Sequence, residues 1–366
     1  MKLIAFLLPQ FHQIPENDQW WGEGFTEWTN TRKANPIYPG HLQPREPYED
    51  YYYDLTDPAT RRWQAELAQY YGIYGFCYYH YWFKGKQLLE TPFKQVLSSG
   101  EPRIPFCLSW ANEPWTRKWD GGEHDVLMPQ EYGEQDDWEL HFYALLDAFR
   151  DERYIRIENK PIFIIYRPDK ISCCEDMMKH WNILAVKNGL EGIYFVRTLG
   201  GFPLAKQDYF DANLEFEPHY TFAHSGLNRL WSYMNIGNEK HYVFDYDFVW
   251  QYVLNRSHHR DRSKIFPGAY VNWDNTPRLG LRGLSCLGAN PQKFGWYLTR
   301  QIERAVSLYN SEFLFVNAWN EWAEGTYLEP DKHYQYQYLE AVRTALKTTG
   351  FYTEPNIMTD IQKNGR

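Results

Sequence analysis

The stretch NAWNEWAEGTYLEP, residues 317–330, places Glu321 and Glu324 three residues apart among tryptophans. It directly follows EFLFV, which reads as a buried strand. Two carboxyl groups held close disfavour each other's ionisation, so one of them keeps a proton near neutral pH. An acid and a base from one short segment is the equipment of glycoside chemistry, in which one group protonates the leaving oxygen and the other assists at the sugar. The spacing alone leaves retention and inversion both open. It also leaves room for a purely structural role, with the pair neutralised by Arg167, Arg197 or Arg278. Glu113 in WANEPW is a second candidate carboxylate, for catalysis or for holding substrate.

Stepping outward, short runs rich in β-formers alternate with helical patterns. The runs are KLIAFLLPQFH, IYGFCYYHYWF, IPFCLSWANEPW, KPIFIIYRP, GIYFVRT, ANLEFEPH, GAYVNWDNTPR and EFLFVNAWNEW. Between most of them lie amphipathic segments with helix punctuation. Asp57–Pro58 opens DPATRRWQAELAQYYG, and Gly350 closes the last helix. Eight strands alternating with helices predict parallel strands joined by crossovers, and eight is the number that closes a barrel. The expected fold is a single (β/α)8 TIM barrel with extended βα loops over residues 1–350, with a peripheral tail at 351–366. No Gly-rich nucleotide fingerprint follows the first strand, which argues against a doubly wound sheet.

In such barrels chemistry sits at the carboxyl ends of the strands. Every strand here carries polar or aromatic groups at that end. The candidate substrate-binding residues are His12; His80, Tyr81 and Trp82; Trp110, Asn112, Glu113 and Trp115; Arg167; Arg197; Glu217 and His219; Trp273 and Asp274; and Asn317 and Trp319. Trp110, Trp115, Trp273 and Trp319 are the candidates for stacking on sugar rings. Any one of these could be a satisfied buried group; eight decorated strand ends together argue for a cleft.

Composition agrees. Aromatics make up 19% of 366 residues, with 16 Trp, 30 Tyr and 22 Phe, many in polar company. The net charge of -9 with interspersed signs and no basic stripe argues against a nucleic-acid partner. Five cysteines with no C-x-x-C indicate neither a disulfide framework nor a zinc site, and reduced thiols fit a cytoplasmic protein. The apolar start MKLIAFLLPQFHQ reads as a first strand rather than a signal peptide, and no run is long enough for a membrane span. There is no nucleophile elbow, P-loop or H-E-x-x-H, and no metal or cofactor is expected. His258 and His259 sit in a basic, loop-like stretch. The one Asp-x-Asp, Asp245 and Asp247, falls at a helix start rather than after a strand.

Four motifs in order, LPQFHQIPENDQWWGEGFTEWTN, GFCYYHYWF, LSWANEPWTRKWDG and NAWNEWAEGTYLEP, resemble the WbsX-type family, associated with lipopolysaccharide and O-antigen biosynthesis. That family is related to the glycoside hydrolase family 99 endo-α-mannosidases. The resemblance implies metal-independent chemistry on an oligo- or polysaccharide. It implies Glu321 as the base at a sugar 2-hydroxyl, a 1,2-anhydro sugar intermediate, Glu324 as acid and then base for water, and net retention. The expected activity is a retaining, endo-acting glycoside hydrolase on an α-linked bacterial glycan, mannose-containing ones included. A glycosyltransferase or transglycosylase in surface-polysaccharide assembly and a non-catalytic glycan-binding barrel are the alternatives. WbsX-type proteins have been labelled glycosyltransferases, but the barrel pattern and the lack of nucleotide-sugar features argue against that label.

Overall fold

The computed structural model describes residues 1–117, 122–203, 209–226, 230–257 and 264–355. His258, His259 and the tail from residue 356 onward lie outside the described residues, so the expectations placed on them stay as they are.

Nine parallel segments form the central sheet: β1 (Lys2–Leu7), β2 (Ile73–Phe83), β3 (Phe106–Trp110), β4 (Lys160–Ile165), β5 (Tyr194–Leu199), β6 (Ala212–Glu215), β7 (Lys264–Phe266), β8 (Gly268–Tyr270) and β9 (Phe313–Asn317). Their spatial order is β7-β6-β5-β4-β3-β2-β1-β9-β8. β7 and β8 are one strand interrupted at Pro267. The first half pairs with β6, from Ala212↔Lys264 to Leu214↔Phe266, and the second with β9, from Gly268↔Phe315 to Tyr270↔Asn317. Nine segments thus fill eight positions, and the expected α/β barrel is what forms. Proline cannot donate to a ladder, so it sits where the strand changes partner. Its carbonyl still accepts from the Phe315 amide at 3.1 Å. The expected seventh strand, residues 268–278, is therefore displaced: pairing begins earlier, at Lys264, and ends at Tyr270.

The strands are buried on both faces, as parallel strands under helices should be. Phe6 of β1 points inward and meets the rings of Tyr79 at 5.5 Å, Phe216 at 5.2 Å and Phe315 at 5.9 Å, so aromatic rings fill the barrel. Outside, helices α1 (Pro58–Tyr70), α2 (Thr91–Ser99), α3 (Gln135–Arg150), α4 (Cys174–Lys187), α5 (Tyr246–Asn255), α6 (Pro291–Ser307) and α7 (Gln337–Thr348) cover the sheet. Their starts follow local chemistry. Asp57 caps α1 by accepting from the Ala59 amide, and Asn290 caps α6 by accepting from Lys293, each with proline next in sequence. Trp181 of α4 packs against Phe163 of β4 and Phe195 of β5.

Two features had no counterpart in the sequence reading. The first βα connection folds into short helices, Pro15–Trp21 and Glu27–Lys33, over the barrel mouth. A side sheet joins strands Ser232–Ile236, Glu239–Asp245 and Leu284–Leu287. All five cysteines are free thiols. No helix among the described residues is long and apolar enough to cross a membrane.

Candidate active site

A cleft of about 290 Å³ opens at the carboxyl ends of the strands. Gln10, Asn17 and Trp21 come from the first connection, Tyr79 and Tyr81 from β2, and Glu113 and Trp115 from beyond β3. Tyr166 follows β4, Phe216 and His219 follow β6, Arg278 follows β8, and Glu321 and Glu324 follow β9.

Arg278 organises the polar end. Its Nε donates to Glu27 Oε1 at 2.8 Å and its Nη2 to Glu321 Oε2 at 3.3 Å, while its Nη1 is bonded to Glu324 Oε1. Three carboxyl groups thus converge on one guanidinium. Glu27 is fully buried and Glu321 5% exposed, whereas the Glu324 side chain keeps 24% of its surface. Burial raises the Glu321 pKa well above the usual carboxylate range, and the neighbouring Glu324 raises it further against the pull of Arg278. Burial raises Glu324 as well, again opposed by Arg278. The two carboxyl groups therefore titrate as an interacting pair. Burial opposes the Arg278 charge, but the carboxylates more than offset it and keep the guanidinium protonated.

The backbone explains how two glutamates three apart reach one point. Asn320–Glu321 bridges back to Thr326–Tyr327, and Trp322–Glu324 is a single 3-10 turn. Gly325 closes it with φ 63°. A Cβ there would lie 2.8 Å from that of Asp274, so the tight return needs glycine on both counts.

Of the other sequence candidates, Tyr81, Glu113, Trp115 and His219 line the cleft. Glu113 is also bonded to Arg167 Nη1. His219 is held neutral by burial, which pushes its pKa down to about 4. It stands edge-on to Trp273, with centroids 4.4 Å apart, and the two border a second groove of about 380 Å³ beside the cleft.

The remaining candidates are placed elsewhere, and strand alternation explains two of them, His80 and Trp82. Tyr79 and Tyr81 of β2 face the cleft, so His80 and Trp82 face the helix layer. His80 Nε2 pairs with His141 Nε2 at 2.8 Å, and Trp82 stacks on the His141 ring at 4.6 Å. Trp110 packs edge-on against the same ring and is 1% exposed. Trp319 is fully buried against Phe76. Neither indole can stack on a ligand from there. Asn112 pins the Arg167 backbone, accepting from its amide at 2.7 Å and donating to its carbonyl at 2.8 Å. The Arg167 guanidinium also grips Asp169. Arg197 donates to Asn213 Oδ1, and Glu217 pairs with Arg256 at 2.7 Å. Asp274 accepts from His41 at 2.8 Å and Gln43 at 2.7 Å. Asn317 donates to the Glu217 carbonyl at 3.1 Å, and His12 Nδ1 lies 2.8 Å from the Pro9 carbonyl. Asp245 caps α5 through the Phe248 amide, while Asp247 holds Lys293 and Tyr297, so the Asp-x-Asp is spent on the helix layer.

Glu27, Asn17, Trp21 and Tyr79 reach the site without having been candidates. Glu27 and Trp21 sit inside a motif that was singled out, but 251 residues separate Glu27 from Arg278, and no local pattern announces such a pair.

Together the fold and cleft define a (β/α)8 barrel whose carboxyl-end pocket presents a coupled glutamate pair. The chain belongs to the family described as glycosyltransferase WbsX, which matches residues 3–342. Two relatives, each described as an uncharacterized protein WxcX, come from Xanthomonas campestris pv. campestris. They are 39% identical over 365 residues in strain B100 and 38% over 370 in strain ATCC 33913. Each alignment covers 98% of this chain and 51% of the relative, so the chain spans about half the length of the curated relatives it matches. Among solved structures, a family 99 endo-α-mannosidase from Bacteroides thetaiotaomicron superposes with a TM-score of 0.54 at 14% identity, covering 95% of this chain and 97% of that one. A glycoside hydrolase-like protein superposes with a TM-score of 0.58 at 12% identity, covering 94% and 93%. At such identities the likeness is one of fold.

Proposed function

We propose that this barrel is a glycan-processing enzyme that cleaves an α-linked bacterial glycan internally and with retention. Its catalytic unit is the barrel of residues 1–350. The observation that carries this reading is the pair Glu321 and Glu324, which share one guanidinium in an aromatic-walled cleft. The endo-α-mannosidase named among the structural neighbours lends support for mannose-containing glycans. In the first step Glu321 takes the proton of the sugar 2-hydroxyl, the freed oxygen attacks the anomeric carbon, and Glu324 gives its proton to the departing oxygen. In the second, water gives a proton to Glu324 and its oxygen opens the 1,2-anhydro ring, while Glu321 returns a proton to the 2-oxygen. Both faces of the carbon are used in turn, so configuration is retained. Tyr81, Trp115 and His219 bound the bay that would hold the sugar.

The family's description favours a second reading, glycosyl transfer in the same cleft with a sugar hydroxyl in place of water. Mass spectrometry of α-linked bacterial polysaccharides and mannosides incubated in heavy-oxygen water tests both. Wild type should release reducing ends carrying the label, and Glu324→Gln should lose this by about 10²-fold or more. Longer unlabelled products would shift the reading to transfer. Binding without turnover in wild type would overturn both and leave a glycan-binding barrel.

A further inference from the structure

Glu329 stands outside the cleft lining, behind the turn that carries the glutamate pair, and is 2% exposed. Its Oε2 accepts from the Trp322 indole N–H and the Tyr53 hydroxyl, each at 2.7 Å, and its Oε1 accepts from Gln64 Nε2 at 2.7 Å. All three donors are neutral. A buried carboxylate is costly to keep, and burial pushes the Glu329 pKa up to about 7 although Trp322, Tyr53 and Gln64 pull it back. A glutamine would fill the same space without a charge, but it would turn an N–H against these converging donors. The site is built for an acceptor with two free oxygens.

What it accepts from matters. Trp322 is the residue after Glu321 and opens the single turn that ends at Glu324. Its ring stacks on Tyr327 at 3.9 Å. The Tyr53 hydroxyl in turn accepts from Asn320 Nδ2 at 3.3 Å, and Asn320 clasps the Leu8 backbone through bonds of 2.7 and 3.0 Å. The Glu329 amide donates to the Trp319 carbonyl at 3.2 Å. One carboxylate therefore ties down the residues on either side of Glu321 and, through Trp322, the turn itself.

We propose that Glu329 is a positioning residue: by holding the Trp322 indole N–H it sets the turn so that Glu321 and Glu324 meet Arg278 together. This rests on the reading of Glu321 and Glu324 as the reacting pair. Misplacing a reacting group by about 1 Å can cost about 10²-fold in rate, so slack in the turn should show in turnover before it shows in binding.

The test uses Trp322→Phe, which removes the N–H and keeps an aromatic ring, beside Glu329→Gln, in the full chain. Carboxyl carbon NMR, assigned with Glu321→Gln and Glu324→Gln, follows the titration of the pair. Turnover is followed on whichever glycan the heavy-oxygen panel identifies. Both variants should move the pair's titration and lower kcat about tenfold or more with KM little changed, and the double variant should add little to either. Should Glu329→Gln fail to fold, Trp322→Phe carries the comparison alone. A lowered melting temperature with unchanged titration in Trp322→Phe would overturn the proposal and leave Glu329 a stabilising contact. Absence of turnover in wild type would overturn the glycosidase reading, while the NMR titration would still decide whether Glu329 positions the pair.

Discussion

At the scale of single residues, Arg278 balances charges that would otherwise repel inside a closed space. Glu27 is fully buried, Glu321 nearly so, and both touch this one guanidinium. Removing one partner of a buried ion pair leaves the other uncompensated, which typically costs about 3–5 kcal/mol. Arg278→Gln should therefore destabilise the chain by about that amount, as read by urea unfolding. Because Arg278 pulls the pKa of both Glu321 and Glu324 down, its loss should raise the pair's titration further. Unchanged stability would mean that the guanidinium is not the counter-charge of Glu27. The sequence showed the pair and named Arg278 as one of three cations that could neutralise it. It could not show Glu27, because the contact joins the first and seventh connections of the barrel.

At the scale of elements, the barrel closes through a strand that changes partner midway. Pro267 splits that strand, and Gly268 follows at the point of closest approach to β6. A Cβ on Gly268 would lie 1.9 Å from the Glu215 carbonyl oxygen, a backbone atom with no freedom to retreat. Gly268→Ala should therefore push β8 off β6, at a cost of at least about 1–3 kcal/mol. Thermal unfolding followed by circular dichroism would show it; a melting temperature equal to wild type would mean that the seam is looser than the geometry states. Seven of the eight strand positions were legible in the sequence, because buried parallel strands are apolar runs between helix signals; the seventh was expected from residue 268 and begins at Lys264. Ile73–Phe83 matches its expected run at both ends. What was not legible was facing. A run such as CYYHYWF is aromatic on both faces, so alternation alone cannot tell Tyr79 and Tyr81, which reach the cleft, from His80 and Trp82, which do not. The side sheet was missed for a related reason: it is half-exposed, and its strands mix polar residues with apolar runs no longer than residues 242–244.

At the scale of the whole molecule, stability depends on titratable groups whose pKa values burial moves in opposite directions. Burial lowers the pKa of His80 to about 3, of His219 to about 4, and of His141 well below its usual value. In an unfolded chain these rings take up protons near pH 6.5. Their contribution to stability is therefore complete above about pH 6.5 and is lost as pH falls toward the folded values. Burial acts oppositely on Glu215, Glu321, Glu324 and Glu329 by raising their pKa. What they contribute is complete below about pH 4.3, where the unfolded chain's glutamates are protonated, and is lost as pH rises, for Glu329 through about 7. The two windows overlap between about pH 4.3 and 6.5, so the net slope there is a difference that wild type alone cannot resolve. His80→Gln separates them. The amide can keep the hydrogen bond to His141 while removing one titrating ring of the pair. Urea unfolding from pH 4 to 8 should show the variant losing less stability than wild type on acidification below pH 6.5, by up to about 1.4 kcal/mol per pH unit, with the neutral limb unchanged. Equal acid limbs would mean that the His80 and His141 pair opens to water before it protonates, and that the layer between β2 and α3 yields to acid at the helix rather than at the ring.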